Sequence, residues 1–170
     1  IQSSLDESLL IGQIQVVNPP DAQEARNQIL FHKNDLIDKL NELHPKMVKR
    51  GGGVQDIEVR TFERTERNPL MLIVHILVDT CDAMGANIIN SMCEEIAADI
   101  EALTEGRVFL RILSNLTDRS VVKASVVIPT EKLEGKGYPG EEVRDGIILA
   151  SQFAEIDPYR AATHNKGIMN

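Results

Sequence analysis

The stretch LMLIVHILVDTCDAMGANIINSMCEE, residues 70–95, contains a predicted strand, residues 70–79, and the start of a predicted helix. Its first nine residues are apolar on both alternating faces, which predicts a strand at the centre of a sheet. Its second half opens a helix of about residues 84–103, because apolar side chains recur at every fourth position: Ile88, Met92, Ile96 and Ile100. The chain therefore passes from a buried strand into an amphipathic helix.

The junction between this strand and this helix contains residue types that are common in binding sites. Asp82, Gly85 and Asn87 supply a carboxylate, a glycine and an amide within six residues. The first N–H groups of a helix lack intrahelical partners and favour anions. The junction therefore either holds a ligand or uses Asp82 as an ordinary helix cap.

The segments on either side of this stretch are also predicted to be strands and helices. Strands are predicted at residues 9–17, 54–64, 107–115 and 121–129, and further helices at 22–43 and 140–156. Asp21, followed by Glu24, is the expected N-cap of helix 22–43. Thr104-Glu105-Gly106 and Asp157-Pro158 are expected to end the two later helices.

The order of these elements is β-α-β-β-α-β, with an extra strand and a final helix. It predicts an α+β fold of the ferredoxin-like type, in which an antiparallel sheet carries its helices on one face. It differs from the strict βαβα alternation of a doubly wound parallel sheet.

Composition excludes several classes of function. The 170 residues carry a formal net charge of −8, only 4% aromatic residues and no Trp. A nucleic-acid binder would need a basic face or aromatic stacking platforms. The longest apolar run, residues 70–78, is too short to span a bilayer. We therefore expect no nucleic-acid partner and no membrane association.

The cysteines and the first residues of the sequence indicate the cellular compartment of the protein. Cys81 and Cys93 have neither zinc spacing nor a disulfide framework, so reduced thiols of a cytoplasmic protein are expected. No signal peptide is visible in IQSSLDESLL. The sequence lacks an initial Met and stops at THNKGIMN, so we expect a piece of a longer chain.

Several other residues admit a plain structural explanation. Gly51-Gly52-Gly53 permits close backbone approach or positive φ, although a flexible loop is the simpler expectation. His75, in the middle of an apolar strand, is expected to be a hydrogen-bonded core or edge histidine. The other histidines are too scattered to form a metal site, so no metal is expected: His32, His44 and His164.

Two polar clusters remain open on the residues alone. Ser114-Asn115, at the end of a strand, forms either a binding segment or an ordinary turn. The tail DPYRAATHNKGIMN, residues 157–170, concentrates donors suited to anions, or is a solvated surface loop.

Four segments together resemble one family. GGGVQDIEVRTF, DAMGAN, LRILSNL and the tail are similar, in this order and spacing, to the class II (bacterial and archaeal) type of hydroxymethylglutaryl-coenzyme A reductase. The likeness extends from about Gln13 to Asn170. In that family a small ferredoxin-like domain, which binds the nicotinamide cofactor, is inserted into a larger domain that binds the acyl-CoA.

The resemblance implies a domain division and a set of site residues. Residues 1–12 would lead in from the large domain, 13–130 would form the cofactor domain, and 131–170 would be a connector helix and the start of the substrate domain. The implied cofactor contacts are Asp82, Ala83, Met84, Gly85, Ala86, Asn87, Ser114 and Asn115. The implied catalytic residue is Lys166, and the implied substrate contacts are Arg160, Thr163 and Asn170.

The implied reaction interconverts hydroxymethylglutaryl-CoA with mevalonate and CoA, through a hemithioacetal and an aldehyde, by two hydride transfers. Hydride delivery to a carbonyl places negative charge on oxygen, which the Lys166 ammonium would stabilise. Arg160 offers a bidentate fork for the substrate carboxylate. The resemblance also implies a homodimer or larger assembly with its active site at the subunit interface.

The implied catalytic set is incomplete in these 170 residues. The family's catalytic glutamate precedes this region, and its catalytic aspartate and flap histidine follow it. We therefore expect the fragment alone to be inactive. The competing hypothesis is a non-enzymatic ferredoxin-like module that binds or senses a ligand.

The choice of cofactor depends on charge near the adenosine ribose. A carboxylate suits the free 2′-hydroxyl of NADH, whereas basic groups suit the 2′-phosphate of NADPH. Residues 44–50, HPKMVKR, contain Lys46, Lys49 and Arg50 and no acid. Asp38 and Glu42 on the preceding helix are the nearest carboxylates. These residues favour NADPH over NADH.

Overall fold

The computed structural model describes residues 1–169, with side chains as far as Gly167. Two compact units make up this part of the chain. The first spans Ser4–Lys123 and contains the sheet with its covering helices. The second combines Ile1–Ser3 with the described residues from Ala124 onward.

The sheet has five strands: β1 Gln2–Val17, β2 Gly53–Phe62, β3 Met71–Asp79, β4 Arg107–Leu113 and β5 Ser120–Ser125. The first four lie in the order β2-β3-β1-β4, and β5 also pairs with β1. The β2–β3, β3–β1 and β1–β4 pairs are all antiparallel. The prediction of an α+β fold with an antiparallel sheet is confirmed.

The helices are α1 Ala22–Phe31, α2 Lys33–Leu43, α3 Pro45–Val48, α4 Ala86–Glu95, α5 Ala97–Thr104, α6 Gly140–Ile156 and α7 Pro158–Met169, with a 3₁₀ turn at Thr130–Leu133. The two long helices predicted at 22–43 and 84–103 are each interrupted by one residue, His32 and Ile96. Helical hydrogen bonds resume at once, from Leu36 N–H to the His32 carbonyl and from Ile100 N–H to the Ile96 carbonyl. Each pair of short helices therefore follows the sheet as one bent element.

The core lies between one face of the sheet and helices α1, α2, α4 and α5. Every second residue of β3 points into it, since successive strand residues face opposite ways. Its fully buried members include Ile14, Val16, Ile29, Leu40, Leu72, Val74, Ile76, Ile89, Met92, Ile96 and Ile100. The apolar period predicted for α4 and α5 is confirmed, except that Ile89 occupies the core position and Ile88 is only partly buried.

Local stop and start signals act largely as predicted. The Asp21 side chain accepts from the N–H groups of Gln23 and Glu24, at 2.8 and 3.0 Å, so it caps α1. Glu105 takes a left-handed conformation (φ 51°) and ends α5.

Two segments expected to be irregular are helical instead. Residues 45–48 form α3, which Pro45 opens as its first residue. The tail was expected to lie beyond the last helix, but Pro158–Met169 forms α7. Asp157 and Pro158 therefore end one helix and begin the next. The Asp157 carboxylate accepts from the Tyr159 N–H at 2.9 Å, as an N-cap does.

His75 lies on the sheet face that the helices do not cover. It is only 6% exposed, and its Nε2 atom lies 2.9 Å from the amide nitrogen of Gln13. The prediction of a hydrogen-bonded histidine is confirmed. Burial lowers the pKa of His75, as does the nearby Arg60 guanidinium, while the carboxylates of Glu58 and Asp118 act in the opposite direction.

The close approach of β1 to α4 depends on Gly12. A Cβ atom at this position would lie 2.5 Å from the Cys93 sulfur and 2.7 Å from an Ile76 side-chain carbon. Both neighbours are fully buried and cannot move aside cheaply. The glycine therefore sets the spacing between the helix and the central strand.

We predict that Gly12→Ala lowers the free energy of unfolding by about 1–3 kcal/mol, because the added methyl overpacks the core. Urea denaturation followed by circular dichroism measures the change. Gly135→Ala is the control, since nothing lies within 4 Å of a Cβ at Gly135. Equal stability of the two variants would contradict the steric account.

The lowered pKa of His75 predicts a pH-dependent stability. The unfolded chain, with a histidine near its ordinary value of 6.5, binds more protons than the folded protein as pH falls through that value. The His75 contribution is therefore present above about pH 6.5 and is lost as the pH falls below it. Denaturation at about pH 7.5 and about pH 5.5 should show this loss in the wild type and a weaker loss in His75→Gln. An unchanged slope in His75→Gln would refute the prediction.

Candidate functional site

The junction after β3 is a tight turn held by its own backbone and side chains. The Thr80 hydroxyl donates to the Ala83 carbonyl at 2.9 Å, and the Ala83 N–H donates to the Thr80 carbonyl at 3.1 Å. The Cys81 N–H donates to the Asp79 carboxylate at 2.8 Å. Thr80 is buried, so the turn is anchored in the core before it reaches the surface.

Helix α4 begins at Ala86 after a left-handed Gly85 (φ 80°), and no side chain caps it. A Cβ at Gly85 would lie 2.6 Å from the Thr80 methyl group, so the position favours glycine on both conformational and steric grounds. Asp82 lies three residues before the cap and is exposed. The alternative that Asp82 caps the helix is therefore wrong, and its carboxylate remains exposed beside the turn.

A cavity of about 460 Å³ opens at this turn. Arg50, Thr80, Cys81, Asp82 and Ala83 line it. Arg50 comes from the basic segment before β2, so the lining of the cavity includes both a cation and a carboxylate. This arrangement is suited to a ligand that carries both acidic and hydroxyl groups.

The triple glycine brings the basic segment against the end of β3. Gly52 is buried, and a Cβ there would collide with the Asp79 carbonyl and lie 2.8 Å from the Cys81 sulfur. Gly53 (φ 121°) already belongs to β2. The close backbone approach considered for these glycines is present, in place of the simpler expectation of a flexible loop.

The second predicted contact segment, Ser114-Asn115, follows β4 directly. The Ser114 N–H donates to the Ile11 carbonyl at 2.7 Å, and the Ser114 hydroxyl accepts from the Leu116 N–H at 3.1 Å. One residue earlier, the Leu113 N–H donates to the Asn90 side-chain oxygen at 2.9 Å. The end of β4 is thus held by β1 on one side and by α4 on the other.

The two predicted contact segments lie at one edge of the sheet. Leu9 of β1 pairs with Asp79, and Gly12 pairs with Leu113. Since β3 and β4 are both antiparallel to β1, their carboxyl ends come to the same edge. Residues 82–87 and residues 114–115 therefore follow strands that end at the same edge of the sheet.

A second cavity, of about 390 Å³, lies on the uncovered face of the sheet. It is lined by Ile11, Gln13, Glu58, Arg60, His75, Ser114, Leu116, Asp118 and Arg119. Two of these lining residues, Arg119 and Glu58, form an ion pair of 3.1 Å. Ser114 thus borders a polar cavity that residue patterns alone did not suggest.

The residues implied for substrate binding lie on α7, in the other compact unit. Arg160, Thr163 and Lys166 are spaced by three residues, which places them within about 120° of the helix circumference. Thr163 and Lys166 are exposed, and the Thr163 hydroxyl donates to the Tyr159 carbonyl at 3.1 Å. Asn170 lies outside the described residues.

Two supporting residues of the site were not predicted. Thr80 holds the junction turn, and Asn90 contacts the end of β4. The sequence gives a weak indication of a special role for Asn90, because asparagine is unfavourable in the interior of a helix. It gives none for Thr80, since the partner of Thr80 is the backbone of its own turn.

Cys81 and Cys93 are free thiols, as expected, and burial raises the pKa of Cys93 to about 12. Within residues 1–169, no three His, Cys, Asp or Glu side chains come together in a way that could hold a metal ion. Over the same range, none of the helices combines the length and the apolar character needed to cross a membrane.

Comparisons with known proteins agree with the resemblance. The family model for hydroxymethylglutaryl-coenzyme A reductase matches residues 1–170. The 3-hydroxy-3-methylglutaryl-coenzyme A reductase of Archaeoglobus fulgidus is 47% identical over 163 residues, which cover 96% of this chain and 36% of that protein. A probable reductase of the same name from Borreliella burgdorferi is 33% identical over 175 residues, covering 100% of this chain and 38% of that protein.

Solved structures give the same result. The reductase of Streptococcus pneumoniae matches with a TM-score of 0.88 at 40% identity, over 98% of this chain and 44% of that chain. A further structure of the class II enzyme from that organism, bound to NADPH in open conformations, matches equally well. The chain thus spans less than half the length of these relatives. It belongs to the hydroxymethylglutaryl-coenzyme A reductase family.

Proposed function

We propose that this chain is the cofactor-binding part, with one edge of the substrate site, of an enzyme that interconverts hydroxymethylglutaryl-CoA with mevalonate and CoA. The observation that supports the proposal is that the DAMGAN junction and Ser114-Asn115 follow strands ending at the same edge of the sheet, in a chain of this family.

The cofactor lies, in this proposal, along the edge formed by residues 82–87 and 114–115. The uncapped start of α4 offers backbone N–H groups and the positive end of a helix dipole to a pyrophosphate. Gly85 and Ala86 keep the approach to this helix end free of large side chains. Asp82 and Asn87, both exposed, supply polar contacts beside it.

The preferred cofactor is NADPH. Lys46, Lys49 and Arg50 are all exposed, and Arg50 borders the cavity that also contains Asp82. A 2′-phosphate needs such cations, whereas the 2′-hydroxyl of NADH does not. The NADPH-bound relative from Streptococcus pneumoniae supports this choice.

The fold of the cofactor domain is of the ferredoxin-like type. Support comes from the strand order β2-β3-β1-β4 with antiparallel neighbours, and from helices that pack on one sheet face. This order follows from two βαβ units in which each crossover helix spans one intervening strand.

Residues 131–170 begin the larger, substrate-binding domain in this proposal. Support comes from α6, whose apolar side chains extend around about two-thirds of its circumference and are largely exposed: Ile147, Ile148, Leu149, Phe153 and Ile156. A helix with so wide an apolar face is normally buried in a core. Residues beyond this sequence would supply that core.

Lys166 is the proposed catalytic residue, and Arg160, Thr163 and Asn170 hold the hydroxymethylglutaryl group. The Lys166 ammonium stabilises the negative charge that hydride transfer places on the carbonyl oxygen. Arg160, six residues before Lys166 on α7, pairs with the substrate carboxylate. The assembly is proposed to be a homodimer or larger, with the active site at the interface.

In the full-length enzyme we expect Lys166→Ala to reduce kcat by about two to three orders of magnitude, because a charge that stabilises the transition state is lost. The Kd for NADPH should stay within about twofold. Lys166→Arg should recover little, since a planar guanidinium does not replace a point charge aimed at one oxygen. NADPH oxidation in the presence of hydroxymethylglutaryl-CoA measures both variants.

Lys132→Ala provides the control for this experiment, since Lys132 is an exposed lysine of the same compact unit. Its turnover should match the wild type. Retention of most turnover in Lys166→Ala would reject the catalytic assignment. A full-length protein without any reductase activity would favour the non-enzymatic module instead.

The NADPH preference is tested by removing Lys46, Lys49 and Arg50 together as alanines. We expect the ratio of kcat/KM for NADPH to that for NADH to fall at least about tenfold, which corresponds to about 1.4 kcal/mol. The reason is the loss of the cations proposed to face the 2′-phosphate.

A triple variant of Arg64, Arg67 and Arg107 to alanine makes the matched control. It removes the same charge from the opposite edge of the sheet, where β2 ends and β4 begins. Its ratio should remain that of the wild type. An equal fall in both triple variants would show a general charge effect, and a wild-type preference for NADH would end the proposal.

A further inference from the structure

We infer that Asn90 is a positioning residue for the cofactor site: its side chain fixes the end of β4 to α4, so that Ser114-Asn115 and the Asp82–Asn87 junction bind one cofactor together. The inference rests on the proposed function of these two segments. It adds a residue that itself makes no contact with the cofactor.

The geometry is direct. The Leu113 N–H donates to the Asn90 Oδ1 atom at 2.9 Å, in a partly buried setting. Asn90 is the fifth residue of α4, which starts where the junction ends, and Leu113 is the last residue of β4. A single hydrogen bond therefore links the element that follows one contact segment to the element that precedes the other.

The position of β4 in the sheet explains why the link is needed. β4 is an edge strand: β1 pairs with it on one side, and within the described residues no strand follows it on the other side in the strand order β2-β3-β1-β4. The Ser114 N–H points to β1 and donates to Ile11, so the Leu113 N–H points the other way. Asn90 supplies the acceptor that a further strand would otherwise provide.

The choice of residue supports a specific role. Asparagine is among the weaker helix formers, because its short amide competes with the helical backbone. An asparagine inside α4 therefore disfavours the helix locally. Its hydrogen bond with the Leu113 N–H offsets this cost. Without this acceptor, the Leu113 amide would lose its partner and the end of β4 its second attachment.

A nearby contact between the same elements provides a comparison. Arg111 of β4 lies 2.9 Å from the Glu94 carboxylate of α4, but its Nε atom makes no well-directed hydrogen bond to any described residue. Both side chains are at least one-third exposed, so the ion pair contributes little. It joins β4 to α4 without holding the residue next to Ser114.

The experiment measures steady-state kinetics of the full-length enzyme with Asn90→Leu, Asn90→Ala, Asn90→Asp and the control Glu94→Gln. We expect the leucine and alanine variants to raise the KM for NADPH by about three- to tenfold, the range of one lost hydrogen bond. The KM for hydroxymethylglutaryl-CoA should stay within about twofold. Asn90→Asp keeps the acceptor oxygen and should stay near the wild type, as should Glu94→Gln.

A double-mutant cycle with Asn115→Ala separates positioning from general stabilisation. If Asn90 acts through the Ser114-Asn115 segment, Asn90→Ala should cost clearly less in the Asn115→Ala background than alone. Additive effects, or an unchanged KM for NADPH together with a lowered Tm, would overturn the inference. Failure of both the leucine and alanine variants to fold would also overturn it, because Asn90 would then serve folding.

The same measurements distinguish this inference from the proposed function. If Asp82→Ala and Asn115→Ala raise the KM for NADPH but the Asn90 variants do not, the inference fails and the cofactor site stands. If none of these variants changes cofactor affinity, the proposed site itself is wrong.

Discussion

The antiparallel pairing of β1 with both β3 and β4 is the constraint on which the rest of the structure depends. It places β1 at the centre and sends the carboxyl ends of β3 and β4 to one edge. Segments about 30 residues apart in sequence, at Asp82 and Ser114, therefore follow strands that end at the same edge. If one of these two strands ran parallel to β1, its carboxyl end would lie at the opposite edge.

Small residues allow the surrounding elements to approach that edge. Gly12 admits α4 against β1, Gly52 admits the basic segment against β3, and Gly85 turns the chain into α4. At each position a methyl group would meet a buried atom or the backbone. The edge is consequently formed by backbone held in place, with polar side chains projecting from it, rather than by mobile side chains alone.

The sequence predicts well those features that local chemistry decides. The Asp21 cap, the apolar period of α4 and α5, and the stop at Glu105 each depend on neighbouring residues, and each is present. Asp157-Pro158 shows the limit of such signals, because the same pair both ends α6 and begins α7. The Asn90–Leu113 bond and the Gly12–Cys93 approach depend on residues 23 and 81 positions apart, which no local pattern reveals. The candidate site residues were predicted from the motif resemblance. The sheet topology shows that the two contact segments follow strands ending at the same edge.

The residues proposed for cofactor and for substrate occupy different compact units, Ser4–Lys123 and the part beyond Ala124. This separation has an evolutionary consequence. If the basic segment before β2 sets dinucleotide preference as proposed, substitutions there would alter that preference without changing the helix that carries Lys166. Lineages with different redox pools would then diverge in the nucleotide they use while the residues proposed for the acyl group stay under unchanged selection. The first unit is also a continuous stretch of chain, so recombination can exchange it whole.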